Sequence, residues 1–166
     1  MHYKIISPDE LQKTAEKTEK ANKQWMAAIN KKQSNKLDSM AHQLHAEVFS
    51  ELDCLDCANC CKSISPTLYD KDIERLAKTT RMKSADFIEK YLLIDKDKDY
   101  VFKQTPCPFL DAENYCVAYE SRPKACREYP HTDRARFYQI LKLTLRNTFV
   151  CPAAYYVMEK LRSDFK

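Results

Sequence analysis

Cys54-Leu55-Asp56-Cys57-Ala58-Asn59-Cys60-Cys61 places four thiols within eight residues. Thiolates three residues apart on a tight turn can point at one metal ion, which is why C-x2-C recurs in zinc knuckles and ferredoxin-type loops. Two such pairs overlap through Cys57, and Cys61 follows at once. Adjacent side chains usually point in different directions, so Cys60 and Cys61 are poor partners in one mononuclear site. They suit two metals, a polynuclear cluster, or one ligand and one neighbour. Four more cysteines follow: Cys107 in Thr105-Pro106-Cys107-Pro108-Phe109-Leu110, Cys116 after Tyr115, Cys126 in Arg122-Pro123-Lys124-Ala125-Cys126-Arg127, and Cys151 before Pro152. Each sits beside a proline, an aromatic or a cation. Proline stiffens a loop and removes a competing donor, while amides and cations stabilise sulfur charge. Cys151 is expected at the N-cap of the last helix, where the dipole favours thiolate. A buried apolar cysteine is the plain alternative for any one of them. For all eight together metal ligation is the better reading, so Cys54, Cys57, Cys60, Cys61, Cys107, Cys116, Cys126 and Cys151 are the expected ligands.

That reading depends on the redox compartment. The first eight residues lack the apolar stretch of a secretory signal, and no apolar run approaches the ~18 residues that span a bilayer. A cytoplasmic location is expected, where thiols stay reduced and clustered cysteines serve metals more often than disulfides or a redox relay. Charge agrees. The formal net charge of +4 treats the cysteines as neutral, and eight thiolates with two divalent ions would change it by −8 and +4, to zero. Lys62, Arg122, Lys124 and Arg127 lie next to ligand candidates and can offset negative charge locally, or can be ordinary solvated cations.

Glycine is absent, where average usage of about 7% would give roughly a dozen. This excludes the glycine-rich phosphate loops of P-loop and dinucleotide-binding proteins, which need a residue without Cβ close to phosphate. Left-handed helix caps are expected at Asn30, Asn35 or Asn147, or are avoided.

The pattern Cys-x2-Cys-x2-Cys-Cys, then Cys-Pro-x-Leu, a later Cys, and Arg-Pro-x-x-Cys-Arg-x-x-Pro resembles the YkgJ-like CxxCxxCC family of zinc- or iron-chelating proteins. It runs from Cys54 to Pro130, with Cys151-Pro152 as the final element. The resemblance implies metal chelation and brings little mechanism with it. A related cluster is associated with flagellin lysine methylation proteins, which keeps iron–sulfur chemistry open. With no glycine-rich loop for S-adenosylmethionine, that activity is not carried over.

Three functions compete. The first is a non-catalytic protein holding zinc, more than one ion, in closed thiolate sites; no open catalytic zinc motif such as H-E-x-x-H is present. The second is an iron–sulfur protein with a redox or methyl-transfer role, its cluster completed by Cys107 or Cys126. The third and weakest is nucleic-acid binding through the cations from Arg122 to Arg146, which lack an RNA-binding signature. Whether there is catalysis the sequence leaves open. The partners expected are metal ions, with an oligomer or protein partner allowed through the N-terminal helices, and no membrane.

The elements that must position these thiols read as mainly α with a small β-hairpin. A cysteine-rich metal-binding centre (53–166) is packed between helices and follows an N-terminal helical hairpin (1–52). Ser7-Pro8-Asp9-Glu10 is a capping-box start for a helix reaching about Lys32, with Leu11, Ala15, Trp25 and Ile29 on one stripe and polar Thr18 and Asn22 interrupting it. A second helix to about Leu52 carries Leu37, Ala41, Leu44 and Val48 at helical spacing. His42 and His45 on it read as surface or packing histidines. Asp70 and Ser84 cap two short helices, the second burying Phe87, Ile88 and Tyr91. Residues 100–103 and 115–119 form the expected hairpin, and helices from about Arg134 to Arg146 and from Pro152 to about Leu161 close the chain.

Overall fold

The computed structural model describes residues 2–165. Its elements in chain order are α1 (Pro8–Ala28), α2 (Ser34–Phe49), α3 (Cys54–Cys57), α4 (Asn59–Ser63), α5 (Asp70–Thr79), α6 (Ser84–Tyr91), β1 (Leu92–Ile94), β2 (Tyr100–Phe102), α7 (Lys124–Glu128), α8 (Leu141–Asn147) and α9 (Pro152–Asp164). Short 3-10 turns occupy Lys31–Gln33, Tyr119–Ser121 and Phe137–Ile140. The architecture is mainly helical with one two-stranded antiparallel hairpin, as the patterning predicts. The chain divides into two compact units. One takes the chain up to Asp56 and from Pro130 onward, and the other runs Cys57–Tyr129. Among the described residues no helix is long and apolar enough to cross a membrane.

The first unit is built on the α2 stripe. Leu37, Ala41, Leu44 and Val48 are all buried, one turn apart, and share a core with Phe137, Leu141, Ala153, Val157, Leu161 and Phe165. Each Val, Leu or Phe among them contributes about 1.5–3 kcal/mol on leaving water. Trp25, Met26 and Ile29 pack against this core. Helix α1 starts where Pro8 suits the first turn, but the Ser7 side chain accepts no capping hydrogen bond; its carbonyl accepts from Leu11 N at 2.8 Å, and the expected capping box does not form. α1 also stops at Ala28, short of the expected Lys32, because the Asn30 side chain accepts from Lys32 N at 2.9 Å and turns the chain. Asn22, read from sequence as a polar gap in the stripe, is buried, with its Nδ2 donating to Glu159 Oε1 at 2.8 Å.

The stretch expected as one helix from Arg134 is instead a 3-10 turn followed by α8. Arg136 sits at φ 58°, a left-handed residue that an α-helix cannot contain, and Tyr138 N then donates to Asp38 Oδ1 at 2.8 Å. His45 Nδ1 lies 2.8 Å from Thr132 Oγ1 and His42 Nε2 lies 3.1 Å from Arg134 O, so both histidines hold this segment to α2. Burial lowers the pKa of His45, while Asp133 at 3.9 Å opposes that shift.

The second unit has its own core of Leu68, Ile73, Leu76, Ala77, Phe87, Leu92, Phe102, Phe109 and Ala118. α5 starts at Asp70 itself, capped when Asp72 Oδ2 accepts from Tyr69 N at 3.2 Å, one residue off the expectation. Phe87 on α6 is fully buried, with Ile88 and Tyr91 packed beside it. The hairpin joins different strands from those expected. β2 pairs with β1 in the register Leu92↔Phe102 and Ile94↔Tyr100, not with residues 115–119. Asp95 explains the choice: its Oδ1 accepts from both Asp97 N and Asp99 N, closing a tight reversal that brings 92–94 against 100–102. Residues 115–119 contribute only an isolated bridge, Leu110↔Cys116.

None of the three asparagines expected in the left-handed region is found there. Ala58, Arg81, Lys98, Asn114, His131 and Arg136 take it instead.

Candidate metal centre

The site is assembled in the second unit by three loops around short helical turns. Ala58, at φ 50°, breaks the run between α3 and α4, so Cys57 and the Cys60-Cys61 pair lie on separate turns. Cys107 N donates to Cys61 O at 2.8 Å, which ties the second cysteine loop to the first by backbone. From there the chain doubles back: Leu110 N donates to Cys107 O at 3.0 Å, Val117 N to Phe109 O at 2.9 Å, and Tyr119 N to Cys116 O at 3.1 Å. Asp111 closes this reversal by accepting from Glu113 N and Tyr115 N. The Phe109 ring anchors the loop from below, stacked near Phe87 at 6.2 Å and against Tyr91 and Phe102. Cys126 enters on α7, its N donating to Pro123 O at 3.0 Å.

Cys61, Cys107 and Cys116 lie close enough to Cys126 that each makes its ionisation harder. Burial first, then Cys61, Cys107 and Cys116, push the Cys126 thiol up to about 12. Burial likewise raises Cys107 to about 11, against the amides of Phe109 and Leu110, which point at its sulfur. Cys116 is raised for the same first reason, opposed by the Ala118 amide. Cys61 goes the other way, to about 7, because the Cys60 thiol donates to it and Arg122 and Lys62 stand nearby. Arg122 also favours the thiolates of Cys116 and Cys126. Its guanidinium lies 3.3 Å over the Tyr119 ring and donates through Nε to Tyr119 O at 2.8 Å.

The donor set fits zinc or iron. It is all sulfur, it is partly buried, and amides and a guanidinium already face the sulfurs. Among the described residues no three His, Cys, Asp or Glu side chains stand in ion-holding geometry, so the four thiols are within electrostatic reach without converging on one point. Among the described residues none of the eight cysteines is joined in a disulfide. Six of them, Cys57, Cys60, Cys61, Cys107, Cys116 and Cys126, belong to the second unit, while Cys54 and Cys151 belong to the first. Cys54 is exposed at the start of the α3 turn, and Cys151 occupies the N-cap of α9 and packs against the first unit's core.

Sequence reasoning missed Asp72 and Arg75. Asp72 is 3% exposed and its Oδ1 accepts from Arg75 Nη2 at 2.6 Å and from Lys124 N at 3.1 Å. Arg75 reaches on to Ser121 O at 3.3 Å and Arg122 O at 2.7 Å. The only signal in the sequence is a carboxylate and a guanidinium three apart on the inward face of a helix.

An all-sulfur donor set on a small helical scaffold defines a cysteine-rich protein of the chelating type. The chain belongs to the CxxCxxCC family, described as "Putative zinc- or iron-chelating domain", whose profile matches residues 53–149. Neither a search of curated proteins nor one of solved structures gives a match to this chain.

Proposed function

We propose that this protein binds zinc or iron through thiolates in a non-catalytic role, with Cys61, Cys107, Cys116 and Cys126 as the central ligand set. The observation that carries the reading is the mutual proximity of four buried or half-buried thiols. Such a group is costly as free thiolates and becomes favourable once a cation is shared among them. Cys57 and Cys60 lie in the same unit, and six sulfurs exceed the four of one tetrahedral zinc site. That surplus favours a second ion or a polynuclear iron–sulfur cluster over a single zinc. Cys54 and Cys151, which belong to the first unit, stand outside this central set.

Protein purified without oxygen and analysed for zinc, iron and acid-labile sulfide tests it. At least one ion per chain is expected, colourless if zinc and brown if iron with sulfide. Cys126→Ser should lose most of that metal, whereas Cys151→Ser should lose less. Full metal content in Cys126→Ser would remove that residue from the ligand set, and metal-free protein after anaerobic reconstitution would end the reading altogether.

A further inference from the structure

We infer that Asp72 and Arg75, on a helix that carries no cysteine, are positioning residues for the metal site, gripping backbone 121–124 so that Arg122 and Cys126 are presented to the other thiols. The inference rests on the metal-binding reading above and deepens it. Three hydrogen bonds join this pair to the segment 121–124: Arg75 Nε to Ser121 O, Arg75 Nη2 to Arg122 O, and Lys124 N to Asp72 Oδ1. The 2.6 Å Arg75–Asp72 contact braces the two side chains against each other.

The need for such a grip follows from the local sequence. Pro123 stands at the N-cap of α7 and has no side-chain acceptor to offer the amide of Lys124, the first residue of that helix. Asp72 supplies one from α5, 52 residues away in sequence. A proline there also stiffens the approach to Cys126. On the other side, the Arg122 carbonyl accepts from Arg75 and from Arg127 Nη1 at 2.7 Å. With its backbone fixed, the Arg122 side chain turns onto Tyr119, whose amide is bonded to Cys116 O. Asp72 and Arg75 thereby set the place of one candidate ligand and of the one guanidinium that the thiols sense, without touching a sulfur themselves. Outer-shell groups of this kind typically change metal affinity by about 10–100-fold when removed.

Anaerobic titration of cobalt(II) into the full-length apoprotein, followed by zinc competition, tests this. The cobalt d–d bands report ligand geometry, which a loss of stability alone does not alter. Wild type should bind with the bands of a tetrahedral sulfur site. Asp72→Ala should weaken binding about 10–100-fold and alter the bands. Arg75→Lys keeps the charge but cannot span two carbonyls and a carboxylate, so it should also weaken binding while the protein folds. Leu76→Ala, in the core of the same helix, should lower thermal stability yet leave the cobalt spectrum as in wild type. Wild-type affinity and bands in both Asp72→Ala and Arg75→Lys would overturn the positioning role alone. The same spectral change in Leu76→Ala would reduce it to general stability. No cobalt or zinc binding by wild type would defeat the underlying metal reading and this inference with it.

Discussion

Zinc affinity measured against a competing chelator is expected to rise by about three orders of magnitude per pH unit in the mildly alkaline range. The sign follows from the thiols. A metal takes the thiolate, so a ligand that is protonated beforehand must release its proton on binding, and each displaced proton makes affinity climb about tenfold per pH unit. Cys107, Cys116 and Cys126 all have raised pKa values, to about 11 at Cys107 and about 12 at Cys126, so all three are protonated near neutrality. Cys61, lowered to about 7, is a thiolate in the mildly alkaline range and adds a fourth proton only as pH falls through that value. The slope should therefore steepen from about three to about four as pH falls below the Cys61 value. Proton release on zinc addition, followed in two buffers of different ionisation enthalpy, gives the same count independently. A slope near one would mean that the buried thiols are not ligands.

Phe87→Ala is expected to cost about 3–5 kcal/mol of stability, a large share of what a domain of this size has. Phe87 is fully buried, and its ring meets Tyr91 at 5.0 Å and Phe109 at 6.2 Å. Phe109 lies two residues after Cys107, and its carbonyl accepts from Val117 beside Cys116. Removing Phe87 opens a cavity under the loop that carries two candidate ligands, so the urea midpoint should fall, and adding zinc should raise the midpoint of the variant. Metal bound only to the folded state restores stability in proportion to the logarithm of its concentration over Kd. A loss under about 1 kcal/mol would show that the site collapses around the gap instead of leaving a cavity.

The parts of this molecule legible in the sequence are those set by near neighbours. The α2 stripe could be read because 3.6-residue spacing determines which side chains share a face, and Leu37, Ala41, Leu44 and Val48 are all buried. The Cys-rich turns could be read for the same reason. Leu92-Leu93-Ile94 was indistinguishable from a helix end, since three apolar residues satisfy either period; pairing with 100–102 decides it. Asp72 shows the limit most clearly. Its own helix gives it a cap and an i,i+3 partner, but the contact that matters for the site lies with Lys124. Asn22 likewise finds Glu159, 137 residues on. Such polar links carry no periodic signature, and only the folded chain reveals them.

The six left-handed residues among those described in this glycine-free chain bear on its denatured ensemble. Each non-glycine residue held in that region costs the native state about 1–2 kcal/mol. Glycine at the same place would remove the strain, but it would also loosen the unfolded chain, at about 0.4–1 kcal/mol per position. The second effect offsets about half of the first, so Arg81→Gly or Lys98→Gly is expected to raise stability by no more than about 1 kcal/mol. What differs is the entropy of unfolding. A polypeptide with a Cβ at every position has fewer conformations to gain when it melts, so its melting should be less entropy-driven than that of a glycine-containing chain of equal length, and correspondingly less steep with temperature.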